Sequence, residues 1–201
     1  MSALVAGRAL PSAAAGERAR THPTAWWGMV MLIATEATLF AGLLSSYFYL
    51  RGTSEEWPLG GLPRPSLMPV SILSVVLVGS SVPVHLGERA IRRGRITALR
   101  TYLAIGFVMG AAFFAYTAWD LTHAEFDIGE NAYASIFHTT VGLHALHVLV
   151  GLLMSAGVQV KAATGRIRAE RHLSVQLFVM YWHFVDAVWL AVFASLYLSV
   201  R

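Results

Sequence analysis

The sequence contains no cysteine, and only 13% of its 201 residues are charged. Without cysteine, a disulfide, an iron–sulfur cluster or a thiolate-bound metal site is excluded. A globular domain in water carries about a quarter of charged residues, so the scarcity of charge argues against that class. Hydrophobic residues instead make up 56% of the chain. The composition therefore indicates a membrane protein.

Five long apolar runs account for this composition. A helix needs about 20 apolar residues to cross a bilayer, and irregular backbone must lie outside the hydrocarbon or be buried in protein. We therefore predict an all-α polytopic membrane protein, a bundle of five transmembrane helices that forms one domain over residues 24–201. The predicted spans lie near residues 25–49, 69–86, 98–119, 133–160 and 174–200.

Basic residues are missing from one loop and crowded into others. Residues 120–132 contain four acidic residues and no Lys or Arg, whereas the second connection has five arginines and the fourth has one lysine and three arginines. Because basic residues near span ends stay on the cytoplasmic side, we predict a cytoplasmic N-terminus and a C-terminus outside. Residues 1–23 are then a flexible cytoplasmic tail. Since the basic residues flank spans and form no single exposed face, nucleic-acid binding is disfavoured.

Ionisable side chains are rare within the predicted spans, so each of them is a candidate functional residue. An ionised Asp at the centre of a membrane helix costs about 2.5 to 3.5 kcal/mol, so such residues should face the bundle interior and find partners. We predict a buried polar cluster in which the carboxylates accept hydrogen bonds from histidines, directly or through water. The expected pairs are Glu36 and Asp186 with His147 and His183. The candidates are Glu36, His138, His144, His147, His183 and Asp186.

Three functions are compatible with this cluster. Imidazole is a common axial ligand of haem, so His144 or His147 could hold a haem together with His183. The sequence HALH at 144–147 also offers two ligands one helical turn apart for a non-haem metal. The third function is a proton-responsive or purely structural network. The residues alone leave these three open.

Three segments resemble one known family. They are ATEATLFAGLLSSYFYLR at 34–51, FHTTVGLHALHVLVG at 137–151 and YWHFVDAVWL at 181–190. In this order they resemble subunit III of haem-copper terminal oxidases, the cytochrome c oxidase subunit III family. The resemblance covers about residues 26–201. It is to the short five-helix bacterial form, which begins at the third helix of longer members.

The resemblance implies a function within an enzyme complex. The chain would be subunit III of an aerobic respiratory oxidase that reduces O2 to water and pumps protons in the bacterial plasma membrane. It would contain no catalytic residue, metal or other redox centre, because the family's haems and copper lie in subunits I and II. It would pack directly against subunit I, support assembly and proton uptake, and bind phospholipid. Cytochrome c or quinol would supply electrons to the complex.

The resemblance also assigns residues. The expected buried, proton-related residues are Glu36, which falls on the family's carbodiimide-reactive carboxylate, with His144, His147, His183 and Asp186. Lys161 and Arg166 fall on or near basic residues that approach lipid phosphates. The family usually has a glutamate five residues before the Tyr of YWHFVD, where this chain has Gln176. In longer members a lipid-holding cleft lies between the first two helices and the other five. The resemblance to the short form therefore implies that this cleft is open or closed by another subunit.

Alternatives remain within and outside the family. A quinol oxidase subunit III, or the small membrane subunit associated with nitric oxide reductases, would have a similar sequence. From another class, the chain could be an independent membrane protein that binds haem between two histidines. A haem absorption band that persists in the absence of subunit I would favour this last alternative.

Overall fold

A computed structural model describes residues 23–200, and these residues form five long helices joined by short loops. Each helix is long and apolar enough to cross a membrane, which confirms the predicted all-α, five-helix architecture. Of the predicted tail, only Pro23 belongs to the described residues. A short 3-10 turn, Leu59–Gly61, lies in the first loop. The helices are α1 (Thr24–Thr53), α2 (Leu67–Arg92), α3 (Ile96–Thr122), α4 (Ala132–Ala163) and α5 (Leu173–Phe193), and α5 continues as a π-helical segment over Ala194–Leu198.

The ends of the helices differ slightly from the predicted spans. α1 to α4 each contain the predicted span and extend past it, whereas α5 with its π-helical segment stops at Leu198. At the end of α2 the extension carries charged side chains, among them Glu88, Arg89 and Arg92. Backbone hydrogen bonds do not require apolar side chains, so a helix continues into the polar boundary after its hydrophobic run has ended.

α2 to α5 form a closed ring in which each helix packs against the next and α5 packs back against α2. α1 lies outside this ring, against α4 and α5. Only 6% of the most apolar stretch of α1 is buried, compared with 50% for α4. α4 is therefore the central helix, and most of α1 is available to lipid or to another chain.

Two glycines make room for Trp182 of α5 inside the ring. A Cβ atom on Gly110 of α3 would lie 2.6 Å from Cη2 of this indole, and one on Gly151 of α4 would lie 2.7 Å from Cζ3. The indole N–H donates to Oγ of Ser80 on α2 at 2.9 Å, and only 1% of Trp182 is exposed. One side chain thus fixes the spacing of all four helices of the ring.

Trp189, seven residues further along α5, is held in a similar way. The indole N–H of Trp189 donates to Oγ of Ser74 on α2 at 2.8 Å. Its ring packs edge-on against Phe113 of α3, with 4.7 Å between ring centroids. Buried indole N–H groups need an acceptor, and serines of α2 supply both.

The first turn of α4 is tied to the first loop through Asn131. Its Oδ1 accepts from the backbone N–H of Ala134 at 2.9 Å and caps the helix. Its Nδ2 donates to the backbone oxygen of Leu59 at 2.9 Å. One side chain therefore satisfies a free N–H of the first helical turn and anchors the first loop through Leu59, which lies 72 residues earlier in the chain.

Asn131→Ala is expected to lower the free energy of unfolding by about 0.5 to 2 kcal/mol, because the helix cap is lost. Asn131→Asp keeps the capping oxygen and loses only the donor to Leu59, so it should retain most of the stability. SDS titration of the purified chain in mixed micelles measures both variants. Equal losses for the two substitutions would contradict the assigned cap.

Candidate functional site

Glu36 and His147 form a hydrogen-bonded pair where α1 crosses α4. Nε2 of His147 lies 3.1 Å from Oε2 of Glu36, and its Nδ1 lies 2.8 Å from the backbone oxygen of Leu143. His147 is buried, whereas the side chain of Glu36 is 30% exposed. The carboxylate therefore lies at the edge of the bundle, and the imidazole lies behind it.

The partners of His147 determine where its protons are. A carbonyl oxygen only accepts hydrogen bonds, so Nδ1 carries a proton and donates to Leu143. Nε2 then either accepts a proton from a neutral Glu36 or donates one to a charged Glu36. Both arrangements contain the same number of protons, and they differ only in which residue holds the shared one. The pair can thus transfer a proton internally without taking up another.

His144 lies one turn away in a different environment. It is fully buried, and the rings around it are Trp189 at 4.8 Å, Phe113 at 5.9 Å and Phe40 at 6.4 Å between centroids. Within the described part of the chain, neither ring nitrogen has a hydrogen-bond partner. His144 is therefore enclosed by aromatic rings and does not share the pairing of His147.

Ser81 of α2 joins the other predicted pair. Its hydroxyl oxygen is hydrogen-bonded to Oδ2 of Asp186 and lies 2.9 Å from Nδ1 of His183. Asp186 is buried, with 5% of its surface exposed, but His183 is exposed at the outer surface of α5. The two residues of α5 therefore meet through a hydroxyl of another helix.

The structure differs from the predicted single cluster in two respects. Glu36 and His147 meet between α1 and α4, whereas Asp186 points to α2, so the carboxylates belong to separate sites. The expectation that His183 is buried is wrong for this chain by itself, because its ring lies on the outside of the bundle. The cause is the orientation of α5, which turns its tryptophans into the ring and places His183 on the edge.

Sequence reasoning did not identify Ser81. The signal was the run GSS at 79–81 within an otherwise apolar helix. Small polar residues inside a membrane helix often hydrogen-bond across to a neighbour. Two of these serines do so, Ser80 with Trp182 and Ser81 with Asp186.

The candidate lipid-binding residues lie where α4 ends. Nζ of Lys161 donates to Oγ of Ser174 at 3.2 Å and connects the end of α4 to the start of α5. Arg166 is exposed and lines a surface cleft together with Arg171 and His172. Glu170 also lines this cleft, so it contains an acidic side chain beside its two arginines.

The histidines do not fit a haem between two of them. Both nitrogens of His147 are hydrogen-bonded, and Nδ1 of His183 faces Ser81 on a different side of α5 from the rings that enclose His144. Among residues 23–200, no three His, Asp or Glu side chains come together in a way that could hold a metal ion. The geometry therefore favours hydrogen-bonded networks over metal ligation.

A family model described as cytochrome c oxidase subunit III matches residues 15–200. The chain belongs to the cytochrome c oxidase subunit III family. This confirms the resemblance found in the three sequence segments, and it extends the match towards the N-terminus. The chain is accordingly a multi-pass membrane protein of a family whose members are subunits of an oxidoreductase complex.

Named relatives agree with this assignment. The chain is 31% identical over 192 residues to the cytochrome c oxidase subunit 3 of Thermostichus vulcanus, a match that covers 94% of this chain and 95% of the relative. It is 33% identical over 173 residues to that of Synechocystis sp., covering 86% and 74%. A protein of Nocardia farcinica described as a probable cytochrome c oxidase subunit 3 is 32% identical over 177 residues, covering 85% of each chain. Membership of the family implies that other oxidase subunits accompany this chain.

Proposed function

We propose that this chain is a non-redox subunit III of an aerobic haem-copper oxidase in a bacterial plasma membrane. The complex would reduce O2 to water and pump protons, with its haems and copper in subunits I and II. Residues 24–201 would form the membrane domain, residues 1–23 a cytoplasmic tail, and the C-terminus would lie outside. The family match over residues 15–200 supports this proposal, and the alternation of basic residues between loops supports the orientation.

Within the complex, we assign the chain a role in assembly, in lipid binding and in proton uptake by subunit I. The observation that carries the proton role is the contact between Glu36 and His147, 3.1 Å apart at the partly exposed edge of the bundle. A shared proton at such an edge can be exchanged with a neighbouring chain or with water. For lipid binding we propose Lys161 and Arg166, which lie where α4 ends and α5 begins and which suit phosphate groups.

We propose cytochrome c as the electron donor of the complex, because the named relatives are cytochrome c oxidase subunits. The alternative electron donor is quinol. The alternative complex is one associated with nitric oxide reductase. Purification of the complex through a tag on this chain, from its own host, tests the proposal. We expect haem-containing subunits to be recovered and the isolated chain to show no haem absorption band. Recovery of the chain alone, or a haem band in the isolated chain, would contradict it.

Glu36→Gln tests the proton role. The Gln amide can still donate to Nε2 of His147, so the complex should assemble normally, but the shared proton is lost. We expect the number of turnovers before inactivation to fall by about tenfold, which corresponds to about 1.4 kcal/mol in the difference between the barriers to turnover and to inactivation. Oxygen consumption and proton release by the purified oxidase in vesicles measure this effect.

The matched control is Glu55→Gln, the same substitution at an exposed residue of the first loop. It should leave turnover and pumping at the parental values. If Glu36→Gln also pumps at the parental ratio and lasts as many turnovers, the pair with His147 is structural only. The family assignment would be unaffected by that result.

A further inference from the structure

A stripe of polar side chains lies where α2 and α5 meet, with His85 and His183 exposed at the edge of the bundle and Glu88 and Asp186 buried behind them. We call it the polar stripe, and it consists of Ser81, His85 and Glu88 of α2 with His183 and Asp186 of α5. The α2 members are spaced three and four residues apart and so share one face of their helix. The rings of His85 and His183 lie 6.4 Å apart between centroids, so the two helices contribute to one continuous surface.

The polar stripe lies at the depth of the hydrocarbon. With a rise of 1.5 Å per residue, Ser81 is about 2 Å and His183 about 4 Å from the middle of their helices. His183 is exposed, and 46% of the side chain of His85 is exposed. Glu88, farther towards the end of α2, is neutralised by Arg92 at 2.6 Å. His85 lies about 8 Å from the middle of α2, and its Nδ1 is 3.9 Å from Oε2 of Glu88. The imidazole of His183 thus faces outward near mid-depth, where lipid would offer only hydrocarbon.

Lipid cannot satisfy these groups. Ionisable side chains within membrane spans face the bundle interior or a water-filled cavity and pair with other groups, because an unsatisfied polar group in hydrocarbon costs several kcal/mol. By contrast, the outer face of α3 at the same depth is apolar, with Val108 66% exposed. The α2 and α5 face is therefore unsuited to lipid, whereas the α3 face suits it.

The hydrogen bonds of Ser81 define what His183 requires. The hydroxyl has one proton, which goes either to Asp186 or to Nδ1 of His183. In the first case Nδ1 of His183 carries a proton and Nε2 is a bare acceptor. In the second case Asp186 holds a proton, and Nε2 of His183 becomes a donor. Nε2 has no hydrogen-bond partner among the described residues. A hydroxyl group can both donate and accept a hydrogen bond, so it satisfies Nε2 in either case.

Two further observations point to a helix as the occupant. Oδ1 of Asp186 is buried and has no partner within residues 23–200, so one more acceptor belongs to the same cluster. Ala187 and Ala194 are exposed on the same face of α5 as His183. Small residues let a neighbouring membrane helix approach closely enough for its side chains to hydrogen-bond.

We propose that the polar stripe is the docking face for a transmembrane helix of another oxidase subunit, which presents a hydroxyl side chain to Nε2 of His183. That the partner is an oxidase subunit rests on the proposed function. That the face binds a polar membrane helix rests on the depth and exposure of His183 and on the buried Oδ1 of Asp186, which has no partner within residues 23–200. The Ser81 hydroxyl then connects the partner's hydroxyl to the buried Asp186 through one hydrogen-bonded chain.

Site-specific photo-crosslinking in the host membrane tests this proposal. A genetically encoded photoreactive amino acid replaces Ala187 on the docking face, and in a matched control it replaces Val108 at mid-depth on α3. After illumination, the tagged chain carrying the label at 187 should be covalently joined to another oxidase subunit, and the chain labelled at 108 to lipid. Three results would overturn the proposal: only lipid adducts at position 187, the same protein adduct at both positions, or an adduct with a second copy of this chain.

Substitution of His183 provides an independent measurement. His183→Leu should reduce the other oxidase subunits recovered with the tagged chain by about tenfold, while His183→Gln, which keeps a hydrogen-bonding side chain, should recover them at near parental amounts. Equal recovery with both variants would contradict the proposal. If the parental chain recovers no haem-containing subunit, the proposed function fails; if it recovers them but position 187 meets only lipid, this inference alone fails.

Discussion

Trp182→Ala is expected to lower the free energy of unfolding of the chain by about 3 to 5 kcal/mol, the usual cost of removing a fully buried aromatic side chain. Trp182 touches all four helices of the ring through Gly110, Gly151 and its hydrogen bond to Ser80. Close packing, more than exclusion from water, holds membrane helices together. A cavity at this point therefore removes the contact that sets the helix spacing.

A double-mutant cycle with Gly151→Ala tests the cause. In the parental chain, Gly151→Ala forces a Cβ to within 2.7 Å of the indole, and we expect it to cost about 1 to 3 kcal/mol through overpacking. In the Trp182→Ala background the obstructing atoms are absent, so this cost should disappear. Coupling of this size is typical of residues in direct contact. SDS titration in mixed micelles measures each member of the cycle.

Gly157→Ala is the control for this cycle. Gly157 lies in the same helix, and a Cβ there would meet nothing within 4 Å. The substitution should be neutral or stabilising by up to about 1 kcal/mol, since alanine has the higher helix propensity. If Gly151→Ala is as harmless as Gly157→Ala, or equally costly with and without the indole, the packing around Trp182 is not as described.

Ser81→Ala is expected to lower the free energy of unfolding by about 3 kcal/mol, because it removes the hydrogen-bond partner that residues 23–200 supply to a buried carboxylate. Asp186 would then have no partner for either oxygen among the described residues. Asp186→Leu should cost less, because the Ser81 hydroxyl keeps Nδ1 of His183 as a hydrogen-bond partner. A larger loss of stability for Ser81→Ala than for Asp186→Leu would show that the buried carboxylate is the group whose lost hydrogen bond is most destabilising.

The double variant Ser81→Ala with Asp186→Leu should be more stable than Ser81→Ala alone, since replacing both partners by apolar groups is close to neutral. Ser71→Ala is the control in the same helix, because Ser71 bonds only to the backbone oxygen of Leu67. It should change stability by less than about 0.5 kcal/mol. If Ser81→Ala and Ser71→Ala change the free energy of unfolding equally in the same SDS titration, the assigned role of Ser81 is refuted.

Pairing in this chain shows which contacts are readable from sequence. Glu36 and His147 were predicted to belong to one polar cluster, and they are hydrogen-bonded to each other. The joint contact of His183 and Asp186 with Ser81 was not predicted. Both α5 residues lie on one face, as their spacing indicates, yet nothing in their own segment tells which of the neighbouring helices faces them. A hydroxyl inside an apolar helix is a weak signal until the neighbouring helix is known.

The sequence by itself determined the class of the protein, the five helices and the family. Length, apolar runs and the scarcity of charge decide these, because a bilayer accepts few other structures. Only the tertiary structure decided that Trp182 occupies the slot between two glycines, that the two carboxylates lie in separate sites, and that His183 faces outward. In a membrane chain, side chains that face lipid and side chains that face another helix are both apolar, so the pattern along the sequence contains little information on which face of a helix points where.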